Sequence, residues 1–210
     1  VNRILEPQFM IGKEQCKQFQ LAPREILRKG FMNWLSTRIH MKGSVVDIGC
    51  GPADYLISLY KEYPNITITG VDKSLEMRKL ATEAVYSMND RITILENTDD
   101  KYDVVISTNS LHHFHNPFEF WQMVVDLSNL NAQIFVMDLI RPKSEDQITT
   151  ILETFAEGTN ILYYNDFKNS LKAAFTKEEL IDQISFLQLD LQLEIIGNTC
   201  EIAIIHGKLS

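Results

Sequence analysis

The segment from Val45 to Asp54, VVDIGCGPAD, constrains this chain more than any other. A short apolar run over residues 44–49 empties into a glycine-rich turn. Leu56, Leu59, Tyr60 and Tyr63 then recur at helical spacing over residues 53–63. A strand that runs through a tight turn into a helix opens a crossover, and a crossover implies a parallel partner strand. The alternation continues. Residues 66–71 are β-branched and read as a strand, and Ser74 can cap a helix whose inner face is Met77, Leu80, Ala81, Ala84 and Val85. Residues 91–95, 103–107 and 133–139 are the next strand candidates. Asn116-Pro117-Phe118-Glu119, Ser144 with Gln147, and Thr176 with Glu179 mark three helix starts, and Phe175 and Leu180 are placed as a hydrophobic staple. Gly158 reads as a helix stop. Residues 189–196 and 200–205 are strands with no helix between them, so Gly197 and Asn198 predict an antiparallel hairpin.

The expected fold is therefore α/β: a Rossmann-like three-layer sandwich around a seven-stranded, mostly parallel sheet. Its 210 residues fit one domain, divided into an N-terminal helical cap (1–42) and a core (43–210). In the cap, Leu27, Phe31, Trp34 and Leu35 share one helical face, which suits packing and also suits a lid. Arg3, Glu6, Lys13 and Glu14 break up the start of the chain, which does not read as a signal peptide, and no apolar run reaches the length of a membrane span. A formal charge of -8 weighs against a broad nucleic-acid surface. Cys16, Cys50 and Cys200 form no CxxC pair, so neither a disulfide framework nor a zinc site is indicated and a cytoplasmic setting is expected.

The glycine turn also selects its ligand. Gly49 and Gly51 let the backbone approach a bound molecule closely. Asp72 ends the second strand, where a carboxylate can accept both hydroxyls of a ribose. Asp47 puts negative charge under the turn, which disfavours a pyrophosphate and welcomes a cationic amino acid portion. S-adenosylmethionine has that form. Ala53 arrives one position early for a dinucleotide-binding GxGxxG pattern.

Residues 45–53 resemble motif I of the class I S-adenosylmethionine-dependent methyltransferases. Residues 69–74, TGVDKS, resemble that family's ribose-binding motif, and YDVVIS followed by LHHFHNP (102–107 and 111–117) resembles the fourth-strand region of its small-molecule branch, which includes the ubiquinone/menaquinone-type enzymes. The stretch from FVMDLIRP to FKNSL (135–142 to 167–171) is similar to a bacterial subgroup. The resemblance implies strand order 3-2-1-4-5-7-6 with strand 7 antiparallel. It also implies that Gly49, Cys50 and Gly51 line the cofactor, that Asp47 faces its amino acid end, and that Asp72 with Lys73 holds the ribose. Adenine is expected near Glu96, Asn97 and Thr98, in a connection shorter than is usual for the family, and Ser107, Thr108, Asn109 and His112 border the methionine part. The implied activity is methyl transfer to a small-molecule acceptor by in-line displacement.

His113 is the candidate general base, because a neutral imidazole titrates near physiological pH; packing of the loop is the alternative role. His112, His113 and His115 are not expected to form a metal site, since adjacent histidines do not easily face one ion. Asp138 and Arg141, at the end of the fifth strand, are candidates to contact the acceptor, with a surface ion pair as the other reading of Arg141. Tyr163, Tyr164, Asn165 and Asn169 form a polar, aromatic segment that can wall an acceptor pocket. Tyr164-x-x-x-Lys168 also matches the pair used by short-chain NAD(P)-dependent oxidoreductases, a competing function; a non-catalytic S-adenosylmethionine-binding partner protein is a third.

Overall fold

Successive strand residues point to opposite faces of a sheet, and here both faces are apolar. In the computed structural model, which describes residues 1–209 (the side chains of residues 25 and 26 apart), helices cover each face; Ser210, the end of the expected core, lies outside the described residues. The strands are β1 (Ser44–Ile48), β2 (Thr67–Val71), β3 (Ile92–Leu95), β4 (Tyr102–Thr108), β5 (Ser128–Leu139), β6 (Leu191–Ile196) and β7 (Ile202–Lys208). They form one sheet in the order β3-β2-β1-β4-β5-β7-β6. β1 to β5 pair in parallel, and β7 runs antiparallel to both β5 and β6. The order and the single reversed strand are those expected.

The helices are α1 (Lys13–Leu21), α2 (Glu25–Ser36), α3 (Asp54–Glu62), α4 (Leu75–Ala84), α5 (Pro117–Asp126), α6 (Glu145–Phe155), α7 (Ile161–Ala173) and α8 (Lys177–Phe186). Val45, Val104 and Phe135 pack on one face with Phe31 and Leu35 of α2 and Leu56 and Leu59 of α3. Their neighbours Val46, Val105 and Val136 pack on the other with Phe120 and Trp121 of α5 and Leu180 of α8. The α2 stripe is thus a packing face: Phe31 and Leu35 are fully buried, and Leu27 and Trp34 rest on the same core. The Phe31 ring meets Phe135 edge-on at 5.7 Å and Tyr55 at 4.7 Å.

The helix starts obey their local signals. Ser74, Asn116 and Ser144 each accept a backbone N–H of the first turn, and Thr176 with Glu179 closes a full capping box. The box expected at Ser144 is half formed, because the Gln147 side chain accepts instead from the Lys143 N–H at 2.8 Å. Three further differences are physical. Helix α6 ends at Phe155, ahead of Gly158. β5 begins at Ser128, well before residue 133, because Ser128 pairs with Tyr102 and a bulge then brings Gln133 opposite Val104. Helix α7 carries weak apolar periodicity and is not marked in the sequence, and α1, equally weak, falls inside the expected helical cap without a signal of its own. Among the described residues, no helix is long and apolar enough to cross a membrane.

Phe135 links the central sheet to the N-terminal helices, so Phe135→Ala should cost about 3–5 kcal/mol. Urea unfolding checks this: the midpoint should fall with the slope unchanged.

Candidate active site

β1 and β4 lie side by side, but their connections leave toward opposite edges of the sheet, to β2 and to β5. A crevice must open at their carboxyl ends. The turn after β1 forms its floor. The N–H groups of Gly49 and Cys50 donate to the Val71 carbonyl at 2.8 and 3.1 Å, fixing the turn to the end of β2. Gly49 has φ +76°, and a Cβ there would meet the Ser110 hydroxyl at 2.1 Å. Gly51 has φ +53°, yet a Cβ there would find nothing closer than the Phe19 ring at 3.9 Å. The room above Gly51 is therefore open to a ligand.

Asp72 closes this floor. Its Oδ2 accepts from the Gly51 N–H and its Oδ1 from the Ser74 N–H, both at 2.8 Å. Burial raises its pKa against the pull of those two donors. Each oxygen keeps capacity for one more donor, such as a ribose hydroxyl. Asp47 lies fully buried beneath the turn, off the pocket wall, and its carboxyl oxygens have no hydrogen-bond partner among the described residues. Burial, then the nearby Asp72, pushes its pKa well up.

One pocket brings together the turn (Gly49, Cys50, Gly51), Asp72 and Lys73, Thr108 and Asn109, and both His112 and His113. Other expected site residues stand outside it. The Ser107 hydroxyl donates to the Ile48 carbonyl at 2.8 Å and ties β4 to β1. Asn97 is exposed and accepts from Lys73 Nζ, while Thr98 shares a hydrogen bond with the Tyr102 hydroxyl at 3.2 Å. Arg141 is ion-paired, but buried rather than at the surface: it donates to Glu179 at 2.7 Å and to the Ala174 carbonyl at 3.1 Å. Asn169 is exposed, and Tyr164 and Lys168 are also off the wall.

The wall facing the turn comes from elements that sequence reasoning found only in part: it named the segment around Tyr163 but not Asp166, Phe167 or Ser170. Helix α7 presents Tyr163, Asp166, Phe167 and Ser170 to the pocket. Their spacing (i, i+3, i+4, i+7) is one helical face, a signal present in the sequence that points to Tyr163 rather than Tyr164. Arg24, stacked on Phe19 and paired with Asp54, lines the same side. Residues 1–12, with no helix or strand, strap across the mouth and place Gln8, Phe9 and Met10 on the wall. No periodicity or motif announced this strap.

Beneath the strap sits a buried charged cluster. Asp138 grips the 3-10 turn Leu111–His113: Oδ2 accepts the His112 backbone N–H at 3.0 Å and Oδ1 the His112 Nδ1–H at 2.5 Å. Asp138 is thus behind His112 and off the pocket wall. His112 Nε2 lies 3.1 Å from Glu6 Oε1. Burial opposes a charge on His112, but Asp138 and Glu6 outweigh it and lift its pKa to about 10. Burial likewise opposes the Glu6 charge, and His112 and His113 reverse the balance and lower its pKa. His113 shifts the other way: burial and the neighbouring His112 charge lower its pKa. The two imidazoles lie 4.4 Å apart between centroids, so adjacent histidines do converge here, against expectation. With Glu6 they place ligand-type atoms within 4.8 Å of one another. Cationic His112 and Arg3 face the Glu6 and Asp138 carboxylates.

A family profile described as a methyltransferase domain matches residues 19–177. The chain belongs to this methyltransferase family. Solved structures share the fold. The plantazolicin methyltransferase BpumL, in complex with a pentazolic desmethylPZN analog and S-adenosylhomocysteine, has a TM-score of 0.68 at 18% identity, over 93% of this chain and 89% of that one. A candidate S-adenosylmethionine-dependent methyltransferase of Methanococcus maripaludis has a TM-score of 0.67 at 17% identity, over 99% and 98%. The [4+2]-cyclase SpnF has a TM-score of 0.62 at 12% identity, over 85% and 79%. Comparison with curated proteins by sequence finds no match.

The charged cluster gives this methyltransferase a pH signature. Folding raises the His112 pKa from 6.5 to about 10, so its contribution to stability is complete below about pH 6.5 and is lost as pH rises through about 10. Asp138→Asn should bring the His112 titration down toward its ordinary range and flatten that loss. Histidine NMR titration, with urea midpoints from pH 6 to 10, measures both.

Proposed function

We propose that this methyltransferase holds S-adenosylmethionine across the Gly49–Gly51 turn and passes its methyl group to a small-molecule acceptor. The observation that supports the placement best is the Asp72 clamp beside the open space over Gly51. Asp72 receives the ribose hydroxyls, and Lys73, Thr108, Asn109 and His112 border the rest of the cofactor. The orphaned Asp47 carboxyl suits a cationic ligand above it, because an ammonium supplies the charge that burial otherwise denies. Asn97 and Thr98, off the pocket wall, remain adenine candidates only through movement of their loop.

When bound, S-adenosylmethionine supplies a sulfonium methyl that the acceptor attacks in line, the C–S electron pair leaving on sulfur. The protein aligns the partners and excludes water. His113, on the wall and held neutral, is the proton acceptor for the nucleophile. Phe9, Phe19, Phe114, Tyr163 and Phe167 give the acceptor side an apolar, aromatic surface, which suits a small molecule better than a nucleic acid. Tyr164 and Lys168 stand off that wall, so the oxidoreductase reading has no site here. Residues 1–42 act as a cap on the core 43–210, and three unpaired cysteines suit a reducing, cytoplasmic setting.

Calorimetric titration with S-adenosylhomocysteine, with NADH as control, tests the assignment. The native chain should bind the first and not the second. Loss of hydrogen bonds to a charged group is worth about 1.5–3 kcal/mol, so Asp72→Ala should weaken binding by about tenfold or more. Binding of NADH alone would sink the reading.

A further inference from the structure

The strap does more than cover the pocket. Arg3 fastens it: Nε donates to the Ala173 carbonyl at 2.7 Å, and Nη2 to the His112 and Phe114 carbonyls at 3.1 and 3.0 Å. The guanidinium also stacks 3.8 Å above the Phe175 ring, and the Ile4 N–H donates to the Lys172 carbonyl at 3.0 Å. The next residues reach the histidines. Ser170 of α7 donates to Glu6 at 3.2 Å, which holds the Glu6 carboxylate against His112 and 3.4 Å from His113 Nδ1. The Pro7 carbonyl lies 3.1 Å from the same His113 Nδ1. A carbonyl oxygen can only accept, so Nδ1 must carry the proton. In a neutral ring, Nε2 across from it then keeps its lone pair.

We propose that Glu6 and Pro7 are positioning residues: the docked strap holds His113 as its Nδ1–H tautomer, so that Nε2 is the atom that takes the acceptor's proton. This rests on the methyl-transfer reading and deepens it. The acceptor's X–H bond gives its proton to Nε2, the electron pair of X forms the bond to the methyl carbon, and the C–S pair departs with sulfur. The imidazolium then releases its proton to water. The groups facing the histidine pair agree with this division of labour. Asp138 from β5 and Glu6 from the strap fix His112 as the cation, and that charge disfavours a second proton on His113. Glu6 and Asp138 pull toward a charged His113, but burial and the His112 charge outweigh them and its pKa falls. Arg3 is a positioning residue at one further remove, acting through the strap it anchors.

Long-range proton–nitrogen NMR of the histidine rings in the full chain reads this directly and needs no acceptor. His113→Gln assigns the signals. In the native protein His113 should show a protonated Nδ1 and a bare Nε2. In Arg3→Ala/Glu6→Ala the strap is released, and the His113 nitrogens should shift toward the averaged values of a free imidazole. S-adenosylhomocysteine binding by the native chain, measured alongside, tests the cofactor site on its own. Glu6→Gln, which can keep the Ser170 contact, should retain the native pattern, and Arg3→Ala alone provides a milder release should the double variant not fold. A protonated Nε2 in the native protein, an unchanged pattern in both released variants, or zinc-dependent shifts of both histidines that a chelator reverses would each overturn the proposal. Failure to bind S-adenosylhomocysteine with the tautomer pattern intact would count against the cofactor site instead, so the two readings fail separately.

Discussion

The divergence of the connections that follow β1 and β4 governs what this molecule can do. The strands are neighbours, hydrogen-bonded from Val45 opposite Val104 to Ile48 opposite Ser107. Their continuations diverge, so no crossover seals the space beyond Ile48 and Thr108. Backbone groups at such a gap would be costly if left bare. Val71 accepts two of the turn's N–H groups and Asp72 a third. The same arrangement that satisfies the backbone leaves an acidic, glycine-lined floor suited to a ribose and an ammonium. Fold and ligand preference are two outcomes of one topological constraint.

Much of this was legible in the sequence, for identifiable reasons. A mostly parallel sheet with a terminal hairpin followed from short, doubly apolar strands with strong turn signals and from the absence of a helix between the last two; the strand order came from the family resemblance. The floor of the site was legible because Gly49, Gly51 and Asp72 act through backbone conformation and charge, which the one-letter code carries. The opposite wall was not. Helix α7 has weak apolar periodicity because its inner face mixes Tyr163, Asp166, Phe167 and Ser170, so the segment read as polar and aromatic and its inward face was not separated from Tyr164 and Asn169. Asp138 and Arg141 were placed at the correct strand end, but each is consumed by a local partner, His112 and Glu179. Partnership between residues so distant in the chain has no local signature. The strap is the extreme case: Glu6 meets a histidine at position 112 through tertiary contacts alone.

The buried cluster shows how two adjacent, chemically identical side chains acquire opposite states. His112 has a carboxylate near each ring nitrogen and remains charged despite being only 2% exposed. His113 has a carbonyl, the Glu6 carboxylate at 3.4 Å and a cationic neighbour, and burial with that neighbour's charge prevails. Neither outcome depends on intrinsic imidazole chemistry. It depends on Asp138 being one strand away and on a loop with no regular structure being held in place by Arg3.

The reversed strand has a consequence for biogenesis. β7 is the last strand of the sheet to leave the ribosome, yet it sits inside the sheet between β5 and β6. Until it emerges, β5 is a long unpaired edge carrying Ile134, Phe135, Val136 and Met137, the kind of surface on which nascent chains pair with one another. The pocket floor, built from β1, β2 and β4, can form before that moment, whereas the sheet cannot be completed until β7 docks. Completion of the sheet is therefore an insertion step, and the time between translation of β5 and of β7 sets how long the chain remains vulnerable to misassembly.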